Sequence, residues 1–201
     1  MTLRKPAETA VPLHELLRER WSPRAFLPKP IPREVVVSLF EAARWAASAS
    51  NEQPWHYIVA GREDADAFAR ALDCLVPGNQ AWAKNAGLLI LTVARLTRGN
   101  GEPYRHALHD MGLASAQLTF QAMASGLMVH QMAGIDRDKV RATYKVPDGY
   151  DPLTAIAVGY QADPETLPVD KQSREREPRQ RKPLAGMVFS GEFGKASALV
   201  S

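Results

Sequence analysis

The sequence contains almost no cysteine, since Cys74 is the single one among 201 residues. A lone cysteine excludes an intrachain disulfide and argues against a cysteine-based metal site. Long apolar runs are also missing: the longest, Ala86–Ala94, has the length of a buried strand, whereas a membrane-spanning helix needs roughly 20 residues. Residues 1–10 carry charges and Pro6 where a signal peptide would be apolar. We therefore expect a cytoplasmic protein that does not bind a membrane.

Motifs for several common chemistries are absent. The sequence has no P-loop, no dinucleotide-binding glycine pattern and no nucleophile elbow. His106 and His109 lie one predicted helical turn apart beside Asp110, but no further ligand follows at a recognisable spacing, so we predict no metal site. Cys74 has no local base and is not expected to be a catalytic thiol. The net charge of +3 is too small to indicate nucleic-acid binding by itself.

The remaining composition is ordinary for a globular protein, with 45% hydrophobic and 23% charged residues in a length that suits one domain. Helices are predicted from hydrophobic periodicity at 8–21, 31–47, 63–72, 104–128 and 136–144, the last with Asp136 as N-cap. Strands are predicted at 55–60, 87–93, 128–133 and 152–159, and a turn at 76–79. From residue 161, prolines and charges replace aliphatic residues, which predicts an extended C-terminal arm over 161–201.

The predicted helix 104–128 has apolar residues on more than one face. One stripe repeats every three to four residues, and Leu108, Leu113 and Phe120 lie outside it. A helix of this kind should be buried on several sides. In a chain of this length, a subunit interface could bury the extra face.

A first candidate site lies just before this series of elements. Arg20, Ser22 and Arg24 alternate in a stretch broken by Pro23, and an extended backbone would point the three side chains to one side. Arginine matches phosphate with two parallel hydrogen bonds, and a serine hydroxyl adds a donor. The residues could therefore bind an anionic group. The alternative is a solvated helix end with surface arginines.

A second candidate site is the polar segment Ser48–Trp55. Its serines, Asn51 and Gln53 offer both hydrogen-bond donors and acceptors, which suits the edge of a flat heterocycle. Pro54 would fix the exit of the loop. The alternative is an ordinary helix-to-strand connection that is rich in turn formers.

The segment Arg20–Phe26, the helix 31–47 and the motif Asn51-x-Gln53-Pro54-Trp55 together resemble the opening of the nitroreductase family of FMN-dependent oxidoreductases. The resemblance extends from Leu16 to Leu184. It implies a single FMN-binding domain over residues 1–201 with an α+β fold: a central mixed or antiparallel sheet flanked by helices, a long buried interface helix and the C-terminal arm. It also implies a homodimer with FMN at the interface.

The resemblance assigns roles to the two candidate sites. The residues that match Arg20, Ser22 and Arg24 hold the FMN phosphate and ribityl chain in the family, and Trp21 stands where several relatives have Arg or His. The residues that match Ser50, Asn51 and Gln53 lie against the isoalloxazine ring. We count Trp21 and Ser48 with them as cofactor-binding residues.

Three further places are assigned in the same way. Asn79 would contact the polar edge of the flavin, or else be part of a capped turn. Trp82 stands where some relatives place a lysine near the flavin N1 and O2, so any charge there must come from another group. Gln131, Ala133 and Gly134 match a stretch of backbone that runs past the flavin, although a plain turn glycine is the alternative.

The C-terminal arm contains a concentrated positive charge. Residues 171–182 include six Lys or Arg and two Glu, a net charge of +4. The family places an arginine that binds the FMN phosphate shortly before a Pro-Leu step, and Pro183-Leu184 is such a step. Arg181 is the first choice for this role and Arg179 the second. A solvated tail is the alternative interpretation.

The activity implied by the resemblance is a ping-pong reaction. NADH or NADPH would reduce FMN and leave, and a small organic acceptor of the nitroaromatic, quinone or enone type would then be reduced. No side chain is singled out as catalytic, because the cofactor does the chemistry. One alternative is a specialised flavin-binding relative that fragments flavin, removes halogens or regulates. A more distant alternative is a basic-tailed nucleic-acid binder, whereas the leading hypothesis involves no nucleic acid.

Overall fold

The computed structural model describes residues 3–200. Its centre is an antiparallel sheet with the strand order β1-β2-β4-β3. The strands are β1 (Trp55–Gly61), β2 (Leu88–Arg95), β3 (Met128–Met132) and β4 (Tyr150–Gly159). The four predicted strands are present, and their pairing is antiparallel where the sequence left a mixed sheet open. Residues 1, 2 and 201, which the predicted domain includes, lie outside the described residues.

Helices cover both faces of this sheet. Within residues 3–200 they are α1 (Glu15–Glu19), α2 (Arg33–Arg44), α3 (Ala65–Asp73), α4 (Pro77–Ala83), α5 (Ala107–Ala124), α6 (Arg137–Tyr144) and α7 (Val169–Arg176). Short 3-10 helices lie at Ala49–Asn51, Pro164–Thr166 and Leu184–Gly186. The α+β class is confirmed. No helix in this described part of the chain is long and apolar enough to span a membrane.

The two faces of β2 explain its continuous apolar sequence. Successive side chains of a strand point to opposite faces. Leu89 and Leu91 pack in a core with residues of α3, α4 and α6, whereas Leu88 and Ile90 pack in a second core with residues of α2 and α5. Because β2 is buried on both faces, it needs an apolar residue at nearly every position.

Helix α5 is the longest helix of the second core. Its Ala114 and Leu118 pack with Leu39 and Ala43 of α2 above the sheet. Leu108 and Leu113 remain exposed on another face of α5. The helix is therefore buried on the sides that the single chain can cover, and one apolar side stays open.

The first helix is much shorter than predicted. The sequence predicted a helix over 8–21, but helical structure is confined to Glu15–Glu19. His14 is the N-cap, and its Nδ1 accepts a hydrogen bond from the Leu16 N–H at 3.3 Å. Pro12 lies just before it, and Val11 is exposed. The apolar spacing over 8–21 predicted too long a helix, because apolar side chains such as Val11 do not face the core.

The predicted turn at 76–79 was wrong, because α4 begins there. Pro77 occupies the first turn of the helix, where its fixed φ fits and its missing N–H costs nothing. Asn79 therefore lies inside a helix. Proline and glycine next to each other suggested a turn, but a proline at the first position is equally a helix start.

The C-terminal arm is only partly extended. It contains α7, which the composition did not reveal because its residues are mostly charged and exposed. Beyond Leu184 most residues are exposed, including Phe193 at 97% and Leu199 at 93%. Phe193 contacts the Phe189 ring, with ring centres 5.0 Å apart, but its other sides are open to solvent.

Candidate functional site

A cavity of about 250 Å³ lies beside the segment that follows α1. The Arg20 guanidinium donates a hydrogen bond to the Ser22 hydroxyl at 3.2 Å, so the two predicted residues lie together. The Gln131 amide approaches from β3 and donates to the Thr119 hydroxyl of α5 at 3.0 Å. The full lining is Arg20, Ser22, Ala116, Thr119, Phe120, Val129 and Gln131. The cavity therefore combines cationic and neutral hydrogen-bonding groups with apolar walls.

Three arginines from distant parts of the sequence lie near one another at this cavity. Burial lowers the pKa of Arg20, and the positive charges of Arg179 and Arg181 lower it further. Within residues 3–200, none of the three has a carboxylate within salt-bridge distance. Arg181 is exposed, and among the described residues its guanidinium bonds only to the neighbouring Gln180 carbonyl, at 2.7 Å. Like charges held together in this way favour the binding of an anion.

Besides its place in the cluster, Arg179 makes hydrogen bonds to the N-terminal segment. One guanidinium nitrogen donates to the carbonyl oxygens of Lys5 and Arg18, each at 2.9 Å. It thereby ties the C-terminal arm to the N-terminal segment. Its contribution is partly structural, whereas the hydrogen-bonding groups of Arg181 face solvent.

Arg24 and Trp21 do not line the cavity. The Arg24 guanidinium lies 3.8 Å from Oε2 of Glu175, which is buried. The Trp21 side chain is only 6% exposed, and Lys5 Nζ lies 4.6 Å from its ring centre. The alternation of Arg20, Ser22 and Arg24 therefore places two of the three side chains together and directs the third to a carboxylate.

The rings of His130 and Trp82 contact each other next to the Arg20–Arg24 segment. The rings of His130 and Trp82 have centres 4.6 Å apart, and Phe26 packs on the other side of Trp82. His130 Nδ1 lies 3.0 Å from the Pro23 carbonyl, which can only accept, so Nδ1 carries the hydrogen. Burial lowers the pKa of His130 to about 4. Trp82 is therefore a core residue in this chain, under a neutral histidine.

The Ser48–Gln53 loop has a strained backbone. Ser50 and Asn51 have φ of +55°, and Gln53 has φ of +46°. Residues with side chains rarely adopt this left-handed conformation, and such strain persists only where the surroundings enforce it. Inside the loop, the Gln53 N–H donates to the Ser48 hydroxyl at 3.1 Å. The side chains of Ser50, Asn51 and Gln53 are exposed.

One end of this loop is held by a buried carboxylate. Asp110 of α5 accepts hydrogen bonds from the Ala49 N–H at 3.2 Å and from the Tyr104 hydroxyl. Burial acts to raise the pKa of Asp110, but hydrogen bonds from Tyr104, His109 and Ala49 hold it below its ordinary value. Burial and the nearby carboxylate raise the pKa of Tyr104 to about 12. Asp110 is therefore ionised and Tyr104 neutral at pH 7.

The other end of the loop is held by Arg95 at the end of β2. Its guanidinium donates to the Glu52 carbonyl at 2.8 Å and to the Glu52 carboxylate at 3.1 Å. Ser50 and Asn51 thus lie between two fixed points, Ala49 and Glu52, and Gln53 directly follows the second. The result is a rigid loop that presents polar side chains to solvent.

Asn79 and Gly134 contact each other. The Asn79 amide donates to the Gly134 carbonyl at 3.1 Å. A Cβ atom at position 134 would lie 2.5 Å from the Asn79 amide nitrogen and 2.8 Å from a Val76 methyl. Glycine is therefore required at 134 by the approach of α4, which the sequence interpretation had attributed to a ligand or a turn. Ala133 beside it is exposed.

The cavity and the loop lie at different positions along α5. Asp110 holds the loop near the start of the helix, and Thr119 lines the cavity nine residues later. At 1.5 Å per residue, these contacts are about 14 Å apart along the helix axis. Within residues 3–200, no group of three or more His, Cys, Asp or Glu could hold a metal ion.

Sequence analysis missed the buried carboxylates that hold both segments. Asp110 was considered only as a possible metal ligand, although it is a charged residue next to Met111 in the apolar stripe of α5, a position that indicates burial. Glu175 gave no such signal, since α7 was interpreted as part of a charged arm. Both residues act over long sequence separations that local patterns do not reveal.

The family model described as Nitroreductase family matches residues 17–78 and 74–160. The chain therefore belongs to the nitroreductase family, as its opening segments predicted.

Alignments with similar proteins extend over most of the chain. A 15.4 kDa protein of Mycolicibacterium smegmatis, described as uncharacterized, is 36% identical over 135 residues, which are 67% of this chain and 90% of that protein. A protein of Archaeoglobus fulgidus, provisionally named an NADH dehydrogenase/NAD(P)H nitroreductase, is 22% identical over 153 residues, or 74% and 85%. A solved structure described as an oxidoreductase containing FMN has a TM-score of 0.89 and 36% identity, and the match covers 96% of this chain and 98% of that one.

Proposed function

We propose that this chain is an FMN-dependent oxidoreductase that takes electrons from NADH or NADPH and reduces a small organic acceptor. The observation that carries the proposal is the cluster of Arg20, Arg179 and Arg181, none of which has a carboxylate within salt-bridge distance among residues 3–200, beside a cavity lined by Ser22 and Gln131. The negative charge of a phosphate group would offset the positive charge of this cluster. Membership of the nitroreductase family and the 36% identity to an FMN-containing oxidoreductase support FMN as the source of that phosphate.

The donor set of the cavity fits the cofactor in its charge and in its hydrogen bonds. Arg20, Ser22 and Arg181 would bind the phosphate, with Arg179 adding charge and holding the arm. Gln131 would meet the ribityl chain or the ring, and the backbone at Ala133, an exposed residue, would run past the flavin. Bound FMN would supply the redox chemistry by accepting two electrons from a nicotinamide and passing them to the acceptor.

The Ser48–Gln53 loop would position the ring. Its exposed Ser50, Asn51 and Gln53 side chains offer donors and acceptors to the polar ring edge. Because the loop is held at both ends, it would meet the ring without reorganisation, which favours precise placement. Ser48 would act through its hydrogen bond to Gln53 and so keep the loop closed.

The remaining predicted site residues would act indirectly. Arg24 is paired with Glu175, and Trp21 is buried, so both would support the backbone that presents Ser22. Asn79 and Gly134 bind each other, so they would fix the path of the chain after β3.

We also propose a homodimer with FMN at its interface. Phe193 and Leu199 in the arm and Leu108 on α5 are exposed apolar side chains that a second copy could cover. The distance of about 14 Å between the loop and the cavity along α5 supports a site in which each copy supplies one of them.

The proposed reductant and acceptor rest on a relative and on the shape of the flavin ring. The name of the Archaeoglobus fulgidus relative supports NADH or NADPH. Acceptors of the nitroaromatic, quinone or enone type are flat and conjugated, so they would stack on the same ring face as the nicotinamide. A ping-pong reaction would follow, because both could not occupy that face at once.

The experiment is purification followed by an absorption spectrum and a titration with FMN. We expect a yellow protein with flavin absorption bands that oxidises NADH or NADPH when a quinone or a nitroarene is added. A colourless protein that takes up no added FMN would contradict the proposal. FMN binding without turnover would favour the specialised flavin-binding relative.

A further inference from the structure

Glu175 is the only residue of α7 that is buried. Its exposed fraction is 1%, whereas the rest of the helix is mostly charged and open to solvent. A buried carboxylate is costly unless hydrogen bonds and charges compensate it. Its presence where an apolar residue would pack more easily indicates a specific task.

The carboxylate of Glu175 holds the backbone next to the cavity. Its Oε1 accepts hydrogen bonds from the Arg24 N–H at 2.6 Å and from the Ala25 N–H at 3.1 Å. Its Oε2 lies 3.8 Å from the Arg24 guanidinium and has no hydrogen-bond partner among the described residues. The side chain therefore bridges 151 positions of sequence to reach the segment that presents Ser22.

Other distant groups hold the same segment, but they are neutral. The Pro23 carbonyl accepts from His130 at 3.0 Å, and the Ala25 carbonyl accepts from the Ala162 N–H at 2.9 Å. These contacts bind backbone carbonyl groups of the segment, whereas Glu175 binds the backbone N–H groups of Arg24 and Ala25. Without it, the Arg24 and Ala25 N–H groups would be left buried and unpaired.

Glu175 also anchors the part of the C-terminal arm that carries Arg179 and Arg181. Its backbone carbonyl accepts a hydrogen bond from Lys5 Nζ at 2.9 Å, and Lys5 in turn receives Arg179 on its own carbonyl. Arg179 and Arg181 follow Glu175 by four and six residues. The position of Glu175 is thus coupled both to the segment that carries Arg20 and to the segment that carries Arg179 and Arg181.

We infer that Glu175 is a positioning residue for the anion site: by holding the Arg24–Ala25 backbone and the part of the arm that carries Arg179 and Arg181, it makes Arg20, Ser22 and Arg181 converge on one phosphate. The inference rests on the proposed function, because the phosphate is taken to be that of FMN. Glu175 touches no ligand itself.

The test compares FMN with riboflavin, which lacks the phosphate. Fluorescence titrations give the Kd of each flavin for the wild type and for Glu175→Ala. We expect Glu175→Ala to weaken FMN binding at least about tenfold and to leave riboflavin binding unchanged, because two charge-assisted hydrogen bonds that place the phosphate donors are lost. Glu175→Gln keeps an oxygen at the Oε1 position and should restore most of the preference for FMN.

A matched control removes a carboxylate from the surface instead. Glu165 is exposed and lies 3.8 Å from Arg176 of α7, so Glu165→Ala changes the charge equally without touching the segment. This variant should bind both flavins as the wild type does. If Glu175→Ala does not fold, Glu175→Asp, which is one methylene too short to hold both N–H groups, should show the same selective loss.

The outcomes separate the inference from the proposed function. A wild type that prefers FMN, together with a Glu175→Ala variant of unchanged preference, overturns the inference alone. Parallel weakening of FMN and riboflavin overturns it as well, since that would indicate a general structural role. A wild type that binds neither flavin overturns the proposed function and the inference with it.

Discussion

The Tyr104 hydroxyl donates a hydrogen bond to the buried carboxylate of Asp110, and these two side chains hold Ala49 between them. The Ala49 N–H donates to Asp110 at 3.2 Å, and the Ala49 carbonyl lies 2.9 Å from the Tyr104 hydroxyl. The N–H of this loop residue is therefore satisfied by α5, and its carbonyl, which accepts from the Glu52 N–H at 3.3 Å, lies beside the hydroxyl of Tyr104. This pair explains how the next residues, Ser50 and Asn51, keep a strained backbone.

Tyr104→Phe should destabilise the fold, because it leaves Asp110 with one donor fewer in a buried place. We expect a loss of about 1–3 kcal/mol in the free energy of unfolding, measured by urea denaturation. Tyr57→Phe is the matched control, since the buried Tyr57 hydroxyl has no hydrogen-bond partner among the described residues. Tyr57→Phe should be neutral or stabilising. Equal losses in the two variants would show that the hydroxyl of Tyr104 has no special role.

His130 should make stability depend on pH. Its pKa is about 4 in the folded protein and 6.5 as the ordinary value. Between these values the unfolded chain binds a proton that the folded chain does not, so stability falls as the pH decreases through this range. From pH 6.5 to 5 this contribution amounts to about 2 kcal/mol.

The measurement for His130 is a set of urea denaturation curves between pH 7 and 5. His130→Asn retains a donor toward the Pro23 carbonyl but does not titrate, so its stability should change less over this range. His106→Asn, an exposed histidine in the same chain, is the control and should keep the wild-type pH dependence. Identical pH profiles for wild type and His130→Asn would refute this assignment.

Under the proposed phosphate assignment, Arg20→Ala and Arg181→Ala should each weaken FMN binding at least tenfold. Each removes a cation whose charge-assisted hydrogen bonds to the phosphate would contribute about 1.5–3 kcal/mol. The affinity of the wild type should also fall with added salt, and less steeply in the variants. Arg174→Ala removes an exposed cation from the same arm and should have little effect. Wild-type FMN affinity in both Arg20→Ala and Arg181→Ala would remove the phosphate assignment.

Ser50→Gly should affect stability and cofactor binding in opposite directions. Glycine tolerates the φ of +55° at this position, so relief of strain should stabilise the fold by about 0.5–1 kcal/mol. The same change loosens the loop and removes its hydroxyl, so FMN affinity should decrease. Ser50→Ala removes the hydroxyl and keeps the strain, which separates the two effects. Thermal melts and FMN titrations of both variants provide the measurement.

A mixing experiment tests whether two subunits build each site. Arg20→Ala and Asn51→Ala chains, each defective alone, are combined by unfolding and refolding together. If the loop of one copy meets the cavity of the other, every mixed dimer contains one site with no substitution, and about half of the sites in mixed dimers regain wild-type FMN affinity. A mixture no better than its components would place both segments in the same subunit.

Much of the fold was predictable because it depends on local patterns. The continuous apolar run of β2 requires burial on both faces, and Asp136 was expected as the N-cap of α6, where its carboxylate accepts from the Lys139 N–H at 2.9 Å. The start of α4 at Pro77 was not predictable in the same way, because proline followed by glycine is compatible with a turn and with a helix N-terminus.

The candidate site was only partly predictable. The proximity of Arg20 and Ser22 follows from their alternation in extended backbone. Arg24 leaves that group because Glu175 reaches it from a helix 151 residues away, and no local pattern reports such a partner. The strain at Asn51 was also hidden, since neither its residue type nor its neighbours require a positive φ.

The long reach of Glu175 also has a consequence for synthesis of the protein. A ribosome makes about 5–20 residues per second, so residue 175 emerges roughly 8–30 s after the Arg24–Ala25 backbone that it binds. The sheet and α5 can assemble in that interval, but the proposed phosphate site around Arg20 and Arg181 cannot be completed. A chain truncated before α7 should therefore fold around its sheet and still be unable to retain its cofactor.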